Sequence, residues 1–205
     1  MSSSDRYPVP AGRHRVEETI ERSRFVCTME RASTPEDGQA FIREMNTEFA
    51  DATHNCWAYV AGPPGNSDRI GLSDDGEPHG TAGRPMLTVL LHSGVGEIVA
   101  VVTRYYGGTK LGMSGLVKAY TGAVQRALET LEHGERVDWV TVALTIAYPA
   151  IAAVQQLLPA VEAEMLSQEY DVDVRYTLRM PRQHVEALRS AVADATRGEG
   201  SVLAC

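Results

Sequence analysis

Cysteine is scarce in this chain, with Cys27, Cys56 and Cys205 alone among 205 residues. The count is odd and no pair has CxxC spacing, so neither a disulfide framework nor a zinc site is indicated, and a reducing compartment fits. Positive charge is also short: 19 Lys and Arg face 27 Asp and Glu, for a net charge of −8. That balance excludes indiscriminate coating of nucleic acid, which needs a broad cationic face. Long apolar runs are missing, and the opening MSSSDRYPVPAG has no signal-peptide core. A cytoplasmic chain with no membrane partner is therefore expected. There is no internal repeat, Walker loop, GxGxxG, EF-hand spacing or RNP-type motif, and no cofactor is expected.

What is present is an ordinary core-forming composition, 43% hydrophobic and 22% charged, enough for one or two globular domains. Residues 1–12 are Ser- and Pro-rich and are expected to be frayed or superficial. Val16 to Met29 reads as a strand or hairpin. Thr34-Pro35-Glu36-Asp37 reads as a helix start, and Phe41, Met45 and Phe49 mark its apolar stripe. Asn55 to Ala61 is a short strand, Gly62 to Gly71 a loop, and Pro85 to Leu91 a helix ending near Gly94. The run Ile98 to Val102 is a strand buried on both faces. Ser114 is placed to cap the next helix, whose stripe runs from Leu116 to Leu131 and ends at Gly134.

A second unit begins near Arg136. Val140 to Tyr148 alternates apolar and small polar residues as a two-faced strand, Pro149 opens a helix, and Pro159 kinks or ends it. Tyr170 to Met180 alternates over its whole length and predicts one antiparallel strand, with Tyr170, Val172 and Tyr176 on its core face. Pro181 opens a last helix, and Ser201 to Cys205 is a closing strand. The predicted organisation is a loose terminus (1–12), a first domain (13–135) and a ferredoxin-like second domain (136–205).

The chemistry gathers between Ser73 and Tyr120. Arg84, Arg104, Lys110 and Lys118 stand against Glu97 alone from Arg84 to Lys118, a local excess of three positive charges in an acidic chain. The string Arg104-Tyr105-Tyr106-Gly107-Gly108-Thr109-Lys110 delivers a guanidinium fork, two tyrosines, a tight glycine turn and an ammonium to the start of a helix. Such a turn suits a phosphate or carboxylate, with Ser114 and the helix N-terminus adding donors. The alternative is a structural turn whose Arg104 pairs with an internal acid. The preceding loop offers Asp74, Asp75, Glu77 and His79, either as cation ligands or, more commonly, as a helix cap and a partner for Arg84 or Arg104. His54 and Cys56 share a strand face, as a nucleophilic couple or as core packing beside Trp57.

Two long strings, SDDGEPHGTAGRPML (Ser73 to Leu87) and EIVAVVTRYYGGTKLG (Glu97 to Gly112), followed by GLVKAY, resemble the YigZ/IMPACT family. The resemblance runs from about Arg13 to His133, and the remainder is similar to the extra C-terminal domain of bacterial members. It implies an α+β protein of two domains. The first is an α/β sandwich of the type shared with ribosomal-protein domain 2, and the second is ferredoxin-like, similar to the last domain of elongation factor G. Eukaryotic relatives restrain a translational stress kinase through a further N-terminal domain with no counterpart here, so that partner is not carried over.

The functional expectation is a non-enzymatic, translation-linked regulator binding RNA, a nucleotide, the ribosome or a translation factor. Its anion site would comprise Arg84, Arg104, Tyr105, Tyr106, Gly107, Gly108, Lys110, Ser114 and Lys118, supported by Asp74, Asp75 and Glu77. An enzyme acting on a small phosphorylated or carboxylated substrate, and a protein–protein adaptor using Asp171, Asp173, Arg175 and Arg179, stay open as alternatives. The sequence leaves the oligomeric state open.

Overall fold

The protein is described by a computed structural model covering residues 6–204. The chain divides into two compact units, with the division between Arg136 and Val137.

The first unit is built on a five-stranded antiparallel sheet. Its strands are β2 (His14–Ile20), β3 (Ser23–Arg31), β6 (Ile98–Tyr105), β4 (His54–Val60) and β5 (Ile70–Ser73), in that spatial order. β6 is central, antiparallel to both β3 and β4, which explains its unbroken apolar run. Ile98, Ala100 and Val102 pack under α2 (Gly83–His92) and α3 (Gly112–Thr130), whereas Val99 and Val101 pack under α1 (Pro35–Glu48) on the opposite face. Successive side chains of a strand point to opposite faces, so a strand covered on both sides must be apolar at every position.

α1 begins as the sequence predicts. The Asp37 N–H donates to Thr34 Oγ1 (3.1 Å), and the Thr34 N–H donates to Asp37 Oδ2 (2.9 Å), a reciprocal capping box with Pro35 at the first helical position. Phe41, Met45 and Phe49 are buried against the sheet, each side chain contributing about 1.5–3 kcal/mol of burial energy.

The segment expected to be loose is in fact structured where it is described. β1 (Arg6–Pro10) pairs with β7 (His133–Val137) in a small two-stranded sheet, and Val9 is only 2% exposed. Residues 1–5 lie outside the described residues. The anchor is Glu97, whose Oε1 accepts from Tyr7 Oη (2.9 Å) while its Oε2 accepts from Arg31 Nε (2.8 Å) and Ser33 Oγ (3.0 Å). Composition alone misjudged this segment because its partners lie about ninety residues away. Gly134 likewise belongs to β7, where a β-carbon would lie 3.6 Å from Ala11 Cα, and α3 stops earlier at Thr130.

The second unit runs β8 (Trp139–Ile146), α4 (Ile151–Leu157), β9 (Glu164–Tyr170), β10 (Val174–Pro181), α5 (Val185–Thr196) and β11 (Ser201–Ala204). The sheet order β11-β8-β10-β9 with two crossover helices is the ferredoxin-like arrangement. The predicted single strand from Tyr170 to Met180 is instead a hairpin that turns at 171–173, where the Asp171 N–H donates to the Asp173 carbonyl (3.1 Å). Tyr176 is core, but Tyr170 and Val172 are 55% and 85% exposed. Asp171-Val172-Asp173 preserves the alternation through the turn, so the pattern hides it. Cys205, expected to end the last strand, lies outside the described residues.

Candidate anion-binding site

β6 carries Arg104 and Tyr105 to opposite sides of the sheet. Arg104 lies on the α2/α3 side, its guanidinium carbon 5.5 Å from the Phe25 ring centre. One terminal nitrogen donates to Glu77 Oε1 (2.6 Å) and the other to Ser23 Oγ (3.3 Å). Tyr120 Oη donates to the same Glu77 oxygen (2.8 Å), and Cys56 Sγ lies 3.3 Å from Tyr120 Oη and 2.9 Å from the Asp74 carbonyl. Arg104 is 5% exposed and Glu77 8%. The guanidinium is thus turned inward onto the protein's own carboxylate, and the expectation that it meets an outside anion is corrected. Strand alternation sends it under the helices, and the acidic loop supplies the counter-charge.

Burial pushes the Cys56 thiol well above its ordinary range. Burial, with Cys56 and Glu77 adjacent, does the same to Tyr120. A thiol so raised stays protonated and is a poor nucleophile. His54 is turned elsewhere, its Nδ1 2.7 Å from the Asp75 carbonyl.

The acidic loop is consumed locally. Asp74 Oδ1 accepts from the Ala82 (3.0 Å) and Gly83 (2.8 Å) N–H groups, and its Oδ2 accepts from the Gly80 N–H (2.8 Å), closing the N-terminus of α2. Burial alone would raise this carboxyl, but the three N–H donors hold it below its ordinary value. Asp75 accepts from the Asn55 N–H (2.6 Å), bracing the loop against β4.

After β6 the chain crosses the β2–β3 turn. Glu21 and Arg22 form that turn with φ of 45° and 67°. A β-carbon at Gly107 would lie 1.8 Å from the Arg22 carbonyl oxygen, so only glycine passes here. Gly108 follows at φ 86°, again in the left-handed region. The loop then delivers Thr109, Lys110 and Leu111 to α3. Leu111 is the N-cap and gives no side-chain cap, and the first turn holds no acid. Ser114 lies inside the helix, so the predicted capping role is corrected.

Beside this loop is a concavity of about 430 Å³, walled by the loop, by Ile20 and Glu21 of the hairpin, and by Gly115, Lys118, Ala119 and Arg126 of α3. Lys110 and Lys118 are exposed and have no ion-pair partner among the described residues. Arg126 is held by Glu18. Of the predicted residues, Lys110 and Lys118 are therefore brought to one recess, next to the Gly107–Gly108 turn. Arg84 is exposed on α2 and does not line it. Tyr105 is on the α1 side, its Oη donating to Asp51 (2.9 Å) and its ring under Arg24 (4.7 Å). Tyr106 is half exposed, its N–H donating to Thr53 Oγ1 (3.0 Å). The hairpin wall was not found from the sequence, since nothing local links Ile20 and Glu21 to the glycine turn. Arg126 was within reach, two helical turns beyond Lys118 on the same face.

The Impact N-terminal domain matches residues 21–128, and a domain of unknown function, DUF1949, matches residues 144–199. The IMPACT family member YigZ of Escherichia coli is 40% identical over 96% of this chain and 96% of its own. The chain belongs to the IMPACT family. A Haemophilus influenzae family member is 41% identical over 94% of this chain and 93% of its own. A crystal structure titled only as a hypothetical protein superposes with a TM-score of 0.67 at 39% identity, covering 98% of this chain and 97% of that one. Protein IMPACT of Danio rerio is 33% identical over 54% of this chain and 35% of its own. The chain joins the IMPACT domain to a second α+β domain. Among the described residues no helix is long and apolar enough to cross a membrane.

Proposed function

We propose that this IMPACT-family chain is a translation-linked regulator that grips a phosphate-bearing partner, RNA first of all, in the recess at the start of α3. The observation that carries the reading is the pair of ammonium groups, Lys110 and Lys118, that have no ion-pair partner among the described residues and face one concavity in a chain of net charge −8. Acidic chains tend to consume their cations in ion pairs, and the buried Arg104–Glu77 pair does so here. Cations left free beside an open cavity and an uncapped helix N-terminus make a local positive field. Gly108 and Ser114 would add a backbone and a hydroxyl donor at the same end, whereas the Gly107 N–H is taken by Ser23 Oγ. Arg104 serves as scaffold, because Ser23 Oγ bridges its guanidinium and the Gly107 N–H (3.3 Å each).

The test is fluorescence anisotropy of a single-stranded RNA 20-mer across stepped salt, comparing the native chain with Lys110→Glu/Lys118→Glu. Losing two phosphate contacts lowers the slope of log K against log salt by about 1.4. No binding at low salt, or an unchanged slope in the double variant, overturns the reading.

A further inference from the structure

Among the described residues β9 is an edge strand, hydrogen-bonded to β10 on one side only. Each of its seven residues is exposed, and none belongs to the apolar core of the second unit, which is drawn from β8, β10, β11 and the helices. α4 spans only seven residues and leaves β9 bare. Met165, Leu166 and Tyr170 are 38%, 54% and 55% exposed, and the Tyr148 ring, 47% exposed, lies 6.3 Å from that of Tyr170. Edge strands are ordinarily guarded by charged side chains (lysine above all), proline, a bulge or a covering element. The strand, EMLSQEY, contains no Lys, Arg or Pro, and a register shift opposite Thr177/Leu178 marks its middle.

The charge around this edge selects an occupant. Glu164 pairs with Arg179 (3.3 Å), but Glu169, Asp171 and Asp173 have no ion-pair partner among the described residues. These three acids, with Arg175, Thr145 and Val172, line a recess of about 170 Å³ at the hairpin end of the strand. A second copy adding through this same strand would bring no Lys or Arg to meet these acids. We infer that β9 is an addition site for an extended peptide segment of a basic partner, one that alternates apolar and Lys or Arg residues. Its backbone would extend the sheet, its apolar side chains would cover Met165, Leu166 and Tyr170, and one cationic side chain would enter the acidic recess.

Amide hydrogen exchange of the full chain tests this, using a seven-residue peptide alternating valine with lysine. The amides of 164–170 slow on binding, a valine–glutamate peptide has no effect, and Glu169→Gln weakens the cationic peptide about fivefold, the scale of a partly exposed ion pair. The cationic peptide N-methylated at alternate residues keeps its charge but loses its strand-pairing donors, and it should not protect 164–170. Equal binding by the methylated peptide overturns the inference in favour of charge alone. Protection of 164–170 that rises with protein concentration and no peptide overturns it in favour of a second copy, and absence of protection overturns it outright.

Discussion

Gly107 passes directly over the backbone of Arg22, so that a β-carbon at position 107 would stand 1.8 Å from the Arg22 carbonyl oxygen. The contact locks the loop after β6 onto the β2–β3 turn and thereby shapes one wall of the lysine recess. Gly107→Ala must push the loop or the hairpin away. The expected outcome is a destabilisation of more than about 2 kcal/mol in urea unfolding, with weakened RNA binding in whatever remains folded. Gly108→Ala meets no neighbour and carries only its left-handed φ of 86°. It should cost about 1 kcal/mol, and an equal loss for the two variants would show that the close approach is not the constraint.

Glu77→Ala leaves the Arg104 guanidinium buried without its counter-charge. Stability should fall by about 3–5 kcal/mol, measured by chemical denaturation. Replacing both partners, as Glu77→Gln/Arg104→Met, removes the orphaned charge and should recover much of that loss. If the double variant is no better than the single, the pair is not the relevant unit.

Asp74 and Glu97 both titrate below their ordinary values in the folded chain. For Asp74 the three N–H donors outweigh burial; for Glu97 burial is outweighed by Arg31, Tyr7 and Ser33. An acid depressed in this way stabilises the fold fully above its unfolded pKa, about 3.9 for Asp and 4.3 for Glu, and loses that contribution as pH falls through the folded value. Stability should therefore drop on acidification below about pH 4. Asp74→Asn should cost about 1 kcal/mol at pH 7, the scale of a helix cap. The gap from the native chain should narrow toward pH 3, and a pH-independent gap would assign the loss to packing rather than charge.

Much of the fold was legible residue by residue. The Thr34–Asp37 box, the Phe41/Met45/Phe49 stripe and the two-faced burial of Ile98 to Val102 are local patterns, and local patterns survive folding unchanged. The candidate site was legible only in part. Lys110, Lys118 and the glycine turn are adjacent in sequence to the helix they precede, whereas the hairpin wall arrives from Ile20 and Glu21. Arg104 was misread because a strand residue's direction is plain from alternation only when one face is polar, and β6 is covered on both sides. The Tyr170–Met180 hairpin was misread because its turn keeps the alternation of the strands it joins.

The order of residues alone settled the local helix and strand signals, the family strings and the unequal spread of charge, because periodicity, capping and composition act over a few neighbours. Which cation remains free was decided only in three dimensions. Arg104 and Glu77 are 27 positions apart, and their meeting at 2.6 Å depends on the acidic loop folding over the end of β6. Among the described residues Lys110 and Lys118 have no ion-pair partner, although Glu21 lines the same recess, and that is a matter of distance that no one-dimensional pattern contains.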